Sequence, residues 1–345
     1  MFRLLAILIA LSSLPGCGVA YIAKSATYQF SMLNSRVPNL EARASGELSL
    51  EERRTLDVIE EVRGFGSHLG LHVGELYGTI AMGWDHTIWN VSASQPLAFE
   101  SATWWFPIVG TVPYLGFFEK DEALEQVEQL QDAGLETYLR TAGAYSTLGY
   151  FEDPVLPSML QWSEWTVARV ILHELTHVTI WLPGSVNFNE SVANFVGNAA
   201  ALQFLEAKYG VQSRTLQRAK RSLEDQSTWR VLLKNLYADL DKLYRDPSVP
   251  DATKRERKAQ IYESLVTRVQ DAPFHHPRHY LHLAKQKWNN PRLMQFRTYN
   301  NNQHYFQALL DENQGDVLEF MKAMNRIARN HSSPMDYLKN NYSKR

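Results

Sequence analysis

Residues 170–198 place two histidines and two glutamates within one apolar stretch, VILHELTHVTIWLPGSVNFNESVANFVGN. Burying unpaired ionisable side chains is costly, so their presence in such a stretch needs a chemical reason. His173 and His177 are four residues apart, and on a helix this spacing projects both imidazoles from one face. Two imidazoles on one helix face can chelate a single metal ion.

Glu174 lies between these histidines in the sequence His-Glu-Leu-Thr-His. In a helical HExxH motif the glutamate carboxylate lies beside the metal and can take a proton from water. Zinc lowers the pKa of its bound water to about 7, which makes hydroxide available at neutral pH. The pattern therefore predicts one zinc ion, with Glu174 as the general base. A pair of buried core histidines is the alternative interpretation, but it leaves charges uncompensated.

A third protein ligand is expected, and Glu190 is the best candidate. The helix that carries His177 has roughly 7 Å of rise left before Pro183-Gly184, at about 1.5 Å per residue, and Glu190 opens the next helix. A helix-turn-helix reversal would return its carboxylate to the imidazoles. Asn194 shares the face of Glu190 and is predicted to hold a ligand in place. The alternative for Asn194 is an ordinary polar residue at a helix boundary.

The elements that position these residues predict an α+β fold, with an N-terminal mixed sheet and helices followed by a mainly helical half. Residues 71–91 alternate in a strand-like pattern, and WWFPIVGTVPYLGFF indicates another strand pair. A polar helix is predicted over residues 120–133. After residue 154 the pattern is almost wholly helical.

Within the helical half, Ser158 is the predicted N-cap of the first site helix, which runs to about Leu182. The second helix is predicted to begin near Asn187 or Asn189 and to end at Tyr209. Residues 212–269 indicate a charged helical hairpin, either a surface arm or a guard of the cleft. These elements predict a single domain over residues 17–345, divided into a sheet-containing half (17–157), zinc-site helices (158–210), the hairpin (211–270) and C-terminal helices (271–345).

Composition limits the class of protein. The 345 residues are 45% hydrophobic and 12% aromatic, which is enough to build a substantial core. The 35 basic and 37 acidic residues are interspersed and give a net charge of -2. This balance lacks the excess of positive charge that is typical of nucleic-acid-binding proteins.

The first 17 residues, MFRLLAILIALSSLPGC, have the form of a bacterial signal peptide (residues 1–16) that ends at Cys17. Leu14-Pro15-Gly16-Cys17 resembles the lipobox, in which the cysteine is lipidated. An ordinary signal peptide with a chance cysteine is the alternative. Cys17 is the single cysteine, so no disulfide, cysteine metal site or thiol nucleophile remains. The resemblance implies a lipid-anchored protein of the bacterial envelope, at the outer membrane and facing the periplasm.

His173-Glu174-Leu175-Thr176-His177, followed by Asn189-Glu190-Ser191-Val192-Ala193, resembles the gluzincin metallopeptidases, in which two His and one Glu bind zinc. The chain as a whole is similar to a bacterial family of "putative aminopeptidase" lipoproteins. The stretches that carry this likeness are FPIVGTVPYLGFF, AYSTLGYFEDP, HELTH, FNESVANFV and WNNPRL. Two positions depart from the family pattern: Leu115 stands where Arg is common, and Gly197 where an acidic residue is common.

The resemblance implies further site residues. In gluzincins a sheet edge before the active-site helix pairs with the substrate backbone, and AYSTLGYF lies in that place. Its cleft-lining candidates are Tyr145, Ser146, Thr147 and Gly149, with a purely structural strand as the alternative. The oxyanion donor is expected from downstream helices. Tyr299 is favoured, with His279 and His282 as the other candidates and a helix-packing role as the alternative.

The sequence therefore predicts a zinc-dependent peptidase, an aminopeptidase by resemblance, acting on a peptide substrate. One alternative is a catalytically silent envelope lipoprotein that binds peptide or cell-wall material at a structural metal site. A non-peptide amidase on the same site is a weaker alternative. The glutamate between the histidines favours an enzyme, because a structural metal site needs no base.

Overall fold

The computed structural model describes residues 16–106, 110–141, 152–298 and 303–342. Its N-terminal part combines four helices and seven short strands. The helices are α1 (Gly16–Asn34), α2 (Asn39–Ala44), α3 (Leu50–His68) and α4 (Lys120–Asp132). The strands are β1 (Arg36–Pro38), β2 (Thr79–Ala81), β3 (Trp89–Ser94), β4 (Trp104–Phe106), β5 (Gly110–Val112), β6 (Leu115–Phe117) and β7 (Glu136–Thr141).

The named strands form three small sheets, and every pairing between them is antiparallel. β1 pairs with β2, β4 pairs with β5, and the third sheet has the order β6-β3-β7. A single parallel bridge joins Ile80 to Val155 in this part of the structure. The predicted α+β class is confirmed, but the described strands do not form one mixed sheet.

The strand-like pattern of residues 71–91 is realised only in part, over β2 and the start of β3. Residues 71–78 contain turns, in which Gly74 has a φ of 46° and Tyr77 a φ of 56°. Left-handed backbone of this kind is incompatible with an extended strand. In residues 71–78 the alternation of apolar residues therefore reflects burial of their side chains and not the pairing of a β-strand.

The first site helix, α5 (Glu164–Thr179), begins later than predicted. Ser163 is its N-cap, and the Ser163 side chain accepts a hydrogen bond from Thr166 N at 3.3 Å. Ser158 lies instead in a 3-10 helix (Pro157–Gln161). Trp162 has an extended backbone and separates this 3-10 helix from α5. The predicted end at Leu182 is also wrong, because Ile180 leaves the helical conformation with a φ of -128° and a ψ of 104°.

The second site helix, α6 (Val186–Tyr209), ends at Gly210 as predicted. The two site helices and α3 share the main apolar core of the described residues. On α5 the fully buried apolar side chains are Val167, Ala168, Ile171, Leu172 and Leu175. Gly66 of α3 lies where a Cβ would approach Leu175 Cδ1 to 2.9 Å, so α3 packs very closely on the back of α5.

The predicted hairpin is confirmed as α7 (Arg214–Arg245) and α8 (Asp251–Gln270), joined by residues 246–250. The chain continues through α9 (Pro277–Ala284), α10 (Asn290–Thr298), α11 (Gln303–Glu312), α12 (Val317–Asn330) and α13 (Pro334–Tyr342). Apolar residues of the hairpin, among them Trp229, Leu236 and Leu240, are buried in a second core. This core also contains Tyr280 of α9 and Leu293 of α10.

Buried polar contacts tie this hairpin to the β3-β7 sheet. Lys258 Nζ of α8 donates to the backbone oxygen of Pro96 at 2.6 Å and forms an ion pair with Glu136 of β7 at 2.5 Å. Asn290 is fully buried and accepts hydrogen bonds from the hydroxyls of Tyr244 and Tyr262. The hairpin is thus docked on the N-terminal part. The division of the chain into a single domain with four segments stays a prediction.

A search of the described helices for a membrane-spanning segment found none of sufficient length and apolarity.

Candidate metal centre

The face of α5 brings His173 and His177 together as the spacing predicts. Their Nε2 atoms are 3.1 Å apart, and the rings meet edge to face with centroids at 4.7 Å. His177 is buried, and 14% of the His173 side chain is exposed. Each ring therefore directs its Nε2 atom toward the other ring, in a space that is partly open to solvent.

The carboxylate of Glu190 completes the group. Its oxygens lie 3.3 Å from His177 Nε2 and 3.6 Å from His173 Nε2, and 17% of the side chain is exposed. Among the residues that the structure describes, these three side chains are the one group of three or more suited to hold a metal, with ligand atoms all within 4.8 Å. The reversal between the two helices returns Glu190 to the imidazoles.

Asn189 holds this reversal in shape. Its side chain is fully buried, and its Oδ1 accepts from Leu182 N at 2.9 Å while its Nδ2 donates to Leu182 O at 2.9 Å. These two bonds satisfy backbone groups that the end of α5 would otherwise leave without partners. Because Asn189 precedes Glu190 directly, the same contact fixes the start of α6 and the direction of the carboxylate.

Gly197 allows the two helices to approach each other behind the ligands. A Cβ on this residue would lie 2.7 Å from the backbone oxygen of Arg169 and 3.1 Å from His173 Cβ. A distance under 3 Å to backbone requires the helices to separate. Gly197, one of the two departures from the family pattern, is therefore a packing residue of the site. The other, Leu115, is buried in a third core with Val91, Phe117 and Ala123.

The donor set and its spacing fit a tetrahedral metal ion. Ligand atoms on a tetrahedral ion with bonds of about 2.0–2.1 Å lie about 3.3–3.4 Å apart. The two imidazole nitrogens are 3.1 Å apart, and the nearest Glu190 oxygens lie 3.3 Å (Oε1 to His177) and 3.6 Å (Oε2 to His173) from them, which is close to that value. Two imidazole nitrogens and a carboxylate are a ligand set of catalytic zinc sites, which leave a fourth position open.

Burial lowers the pKa of His173 well below its ordinary value, and His177 and Arg169 act in the same direction. A hydrogen bond to the backbone of Ala193 opposes this shift. The His173 imidazole is therefore neutral near pH 7, the form that binds metals. Within the described structure, His177 Nδ1 is buried and has no hydrogen-bond partner. The indole of Trp181 lies near this ring, with centroids 5.8 Å apart.

Two tyrosines lie in the electrostatic range of the glutamates. Burial raises the pKa of Tyr77 well above its usual value, with Glu174 and then Asp153 contributing. Loss of solvent raises the pKa of Tyr114, Arg140 opposes this, and Glu190 and Glu174 add to it. Since both glutamates act on Tyr114, their carboxylates share one neighbourhood. Glu174 Oε2 is itself buried from solvent.

The remaining predicted site residues have different outcomes. Asn194 Nδ2 donates to the backbone oxygen of Glu190 at 2.9 Å, so it contacts the backbone of that ligand candidate. Its role in holding the ligand stays a prediction. Tyr145, Ser146, Thr147, Gly149 and Tyr299 lie outside the described residues, as does the signal peptide through residue 15, and nothing in the structure tests their roles.

The alternative donors His279 and His282 are exposed on α9, a helix that packs in the second core. His275 and His276, a further pair in the sequence, contact carboxylates: His275 Nε2 lies 2.5 Å from Glu224, and His276 Nδ1 lies 2.8 Å from Asp225. The contacts of this pair fix the loop before α9.

Sequence reasoning missed Asn189, Tyr77 and Tyr114. Asn189 had a signal, because an amide at the start of a helix can bond to backbone groups of the preceding turn. Tyr114 lies in a stretch that carries the family likeness, but its approach to the glutamates depends on tertiary folding. Tyr77 had no local signal beyond the neighbouring Gly78. Its left-handed backbone marks a conformation that the surrounding structure must enforce.

The fold and the site together define an α+β protein in which helices α5 and α6 hold a His-His-Glu group suited to a metal. Residues 20–335 match the family described as "Putative aminopeptidase". The chain belongs to this family. Searches of curated proteins and of solved structures returned no match.

Proposed function

We propose that the protein is a zinc-dependent aminopeptidase of the gluzincin type, which hydrolyses peptide bonds with metal-activated water. The observation that carries the proposal is the convergence of His173 Nε2, His177 Nε2 and a Glu190 oxygen. Glu174 follows His173 directly in the same helix. Family membership supports a peptidase that acts at chain ends. Zinc is proposed because two imidazoles and one carboxylate match its preferred catalytic ligands.

His173, His177 and Glu190 would hold the ion. When bound, zinc supplies Lewis acidity, which polarises a peptide carbonyl and lowers the pKa of water. Glu174 takes a proton from the attacking water as the new C–O bond forms, and the electrons of the carbonyl pass to its oxygen. Glu174 then gives that proton to the leaving nitrogen as the C–N bond breaks. Giving up this proton returns Glu174 to its carboxylate form. The products are a free amine and a carboxylic acid, which loses its own proton to solvent and becomes a carboxylate.

The position of Glu174 suits this role. It follows a ligand candidate directly in α5, its Oε2 is buried, and its charge acts on Tyr77 and Tyr114. In a helical HExxH motif the glutamate that follows the first histidine lies beside the metal, where it can take a proton from water. Tyr299, from the sequence, stays the predicted oxyanion donor.

Replacement of Glu174 by Gln tests the proposal. Gln keeps the shape of Glu but cannot accept the proton of water, so hydrolysis of a library-selected peptide should fall by about 10²–10⁴-fold. Zinc content should stay near one ion per chain, because the three ligand candidates are unchanged. Glu164→Gln is the matched control: it lies in the first turn of the same helix and contacts Lys208, and it should keep full activity.

Retained hydrolysis in Glu174→Gln would show that this carboxylate is not the base. A parent protein that binds zinc and cleaves nothing in a broad peptide library would favour the silent lipoprotein that uses the metal structurally. Cleavage positions read by mass spectrometry distinguish an aminopeptidase, which removes N-terminal residues, from an endopeptidase.

We also propose that the protein is anchored by lipid at Cys17 to the bacterial envelope, at the outer membrane and facing the periplasm. The support is the sequence LPGC, and the position of Cys17 in the first turn of α1. Its partners are then the membrane, through this anchor, and peptide substrates within the periplasm.

A further inference from the structure

An aromatic side chain lies next to the ligand candidates, just beyond the end of α5. His173 and His177 share one face of the helix, and Trp181 follows two residues after the helix ends at Thr179. Its ring still lies next to His177: the centroids of His173 and His177 are 4.7 Å apart, and those of His177 and Trp181 are 5.8 Å apart. The indole of Trp181 therefore flanks the metal centre on the side toward the C-terminus of the helix.

Backbone contacts on both sides hold Trp181 in this place. Ile180 N donates to Thr176 O at 2.8 Å, and Leu182 exchanges two hydrogen bonds with the Asn189 side chain. Ser185 N donates to Leu182 O at 3.1 Å and closes the turn. The backbone that carries the indole is thus fixed, so covering the indole with a ligand costs the protein little conformational entropy.

Trp181 is exposed although Ile180 and His177 beside it are buried. Its exposed fraction is 42%, while Ile180 has 2% and His177 has 3%. Val186, the first residue of α6, is 56% exposed across the same turn. A rigid aromatic surface beside a metal centre, with an exposed aliphatic residue across the turn, is the type of surface that binds an apolar side chain.

We propose that Trp181 is a specificity-determining residue, whose indole binds the apolar or aromatic side chain of the substrate residue next to the scissile bond. The proposal rests on the function proposed above, since it assigns a substrate class to the same site. The substrates it favours are peptides with Phe or Leu at that position over peptides with Gly or Ala. A substrate side chain would cover the exposed indole and remove apolar surface from water.

The experiment measures binding and cleavage with two matched peptides that differ only in Phe or Gly at the position next to the cleavage site. Binding is measured by calorimetry on zinc-loaded Glu174→Gln protein, in which the peptides stay intact. Trp181→Ala and Trp181→Phe are added to that background, and hydrolysis is measured separately with the active glutamate present. Tyr209→Ala is the control: Tyr209 has a similar exposed fraction of 40%, but it lies 19 residues after Glu190, about 28 Å along α6.

The parent should prefer the Phe peptide by at least about tenfold, which is the lower end of what an apolar contact supplies. Trp181→Ala should lose this preference, Trp181→Phe should restore part of it, and Tyr209→Ala should keep it. Zinc content should be equal in all variants. An equal loss of affinity for both peptides would overturn the proposal, since it would show that Trp181 only supports His177. An unchanged preference in Trp181→Ala, or no preference in the parent, would overturn it as well.

Failure of this inference and failure of the proposed function give different results. The binding measurement needs no catalysis, so a Phe preference that depends on Trp181 would stand even if no peptide were cleaved. Conversely, loss of hydrolysis in Glu174→Gln together with an unchanged Phe preference in Trp181→Ala would support the proposed function and contradict this specificity.

Discussion

At the scale of single residues, the histidines of α5 are prepared for a metal by their surroundings. Burial lowers the pKa of His173, so its imidazole is neutral near pH 7 and presents a lone pair. Oxygens of Glu190 lie within 3.6 Å of Nε2 of both rings. The lone pairs of His173 and of the Glu190 oxygens at these distances can be donated to one cation.

Glu190→Ala tests the third ligand. The affinity for zinc should fall by at least about 100-fold, because losing even a residue that only supports a ligand costs about 10–100-fold. A competition titration with a chromophoric chelator measures the dissociation constant. Glu206→Ala, on an exposed position of the same helix, should leave it unchanged. Equal affinities of Glu190→Ala and the parent would mean that a different group completes the centre.

These residues could be identified from sequence because helix geometry alone relates them. The spacing of His173 and His177 determines their common face, and the short turn before Glu190 limits where its carboxylate can go. Tyr77 could not be found in this way. Its approach to Glu174 depends on a left-handed turn and on a backbone hydrogen bond from its N to Asp153 O at 2.8 Å, and both are set by tertiary contacts.

At the scale of elements, the centre depends on how closely α5 and α6 pack. The antiparallel pair is joined by a turn that Asn189 closes, and Gly197 permits contact with the backbone of α5 at Arg169 and His173. A displacement of a few tenths of an ångström at Gly197 moves the helix that carries Glu190. The distances between Glu190 on α6 and the two histidines on α5 therefore depend on Gly197, because its lack of a side chain lets the helices approach each other.

Gly197→Ala should destabilise the fold by about 1–3 kcal/mol, the usual cost of overpacking a close contact. It should also weaken zinc binding, because the added methyl forces α6 away from His173. Gly64→Ala is the control, since Gly64 lies inside α3 and an added Cβ there meets nothing within 4 Å. That variant should be stabilised by up to about 1 kcal/mol through helix propensity. Urea unfolding and zinc titration are the measurements, and equal effects of the two substitutions would contradict the packing argument.

The sequence predicted the long helices and the hairpin better than the strands and the helix starts. Apolar periodicity over many residues, with Gly210 as a stop, defines α6 without ambiguity. Two serines, Ser158 and Ser163, both offered a cap, and the extended backbone of Trp162 decided between them. The strands have three to six residues, too short for alternation alone to reveal which of them pair.

At the scale of the whole molecule, α1 is attached to the rest of the fold close to the proposed anchor. The Tyr21 hydroxyl donates to the backbone oxygen of Gly116 at 2.8 Å, and the Tyr28 hydroxyl donates to Glu119 at 2.6 Å. Cys17 precedes Tyr21 by four residues, about 6 Å of helix rise. A lipid at Cys17 would thus hold the folded body through a short link to the β6 strand.

Cys17→Ser tests this arrangement. Serine cannot be lipidated through sulfur, and each buried methylene of an acyl chain contributes about 0.8 kcal/mol to membrane binding, so the variant should lose nearly all of its partition into detergent. Phase separation of whole-cell extracts in a detergent that clouds on warming, followed by immunoblotting, measures the partition. Ser13→Ala, which changes the leader but keeps the cysteine, should partition like the parent. The zinc content of the purified variant should equal that of the parent, because α1 contributes none of the three ligand candidates. Partition of Cys17→Ser into the detergent phase to the same extent as the parent would show that the protein reaches the membrane by another route.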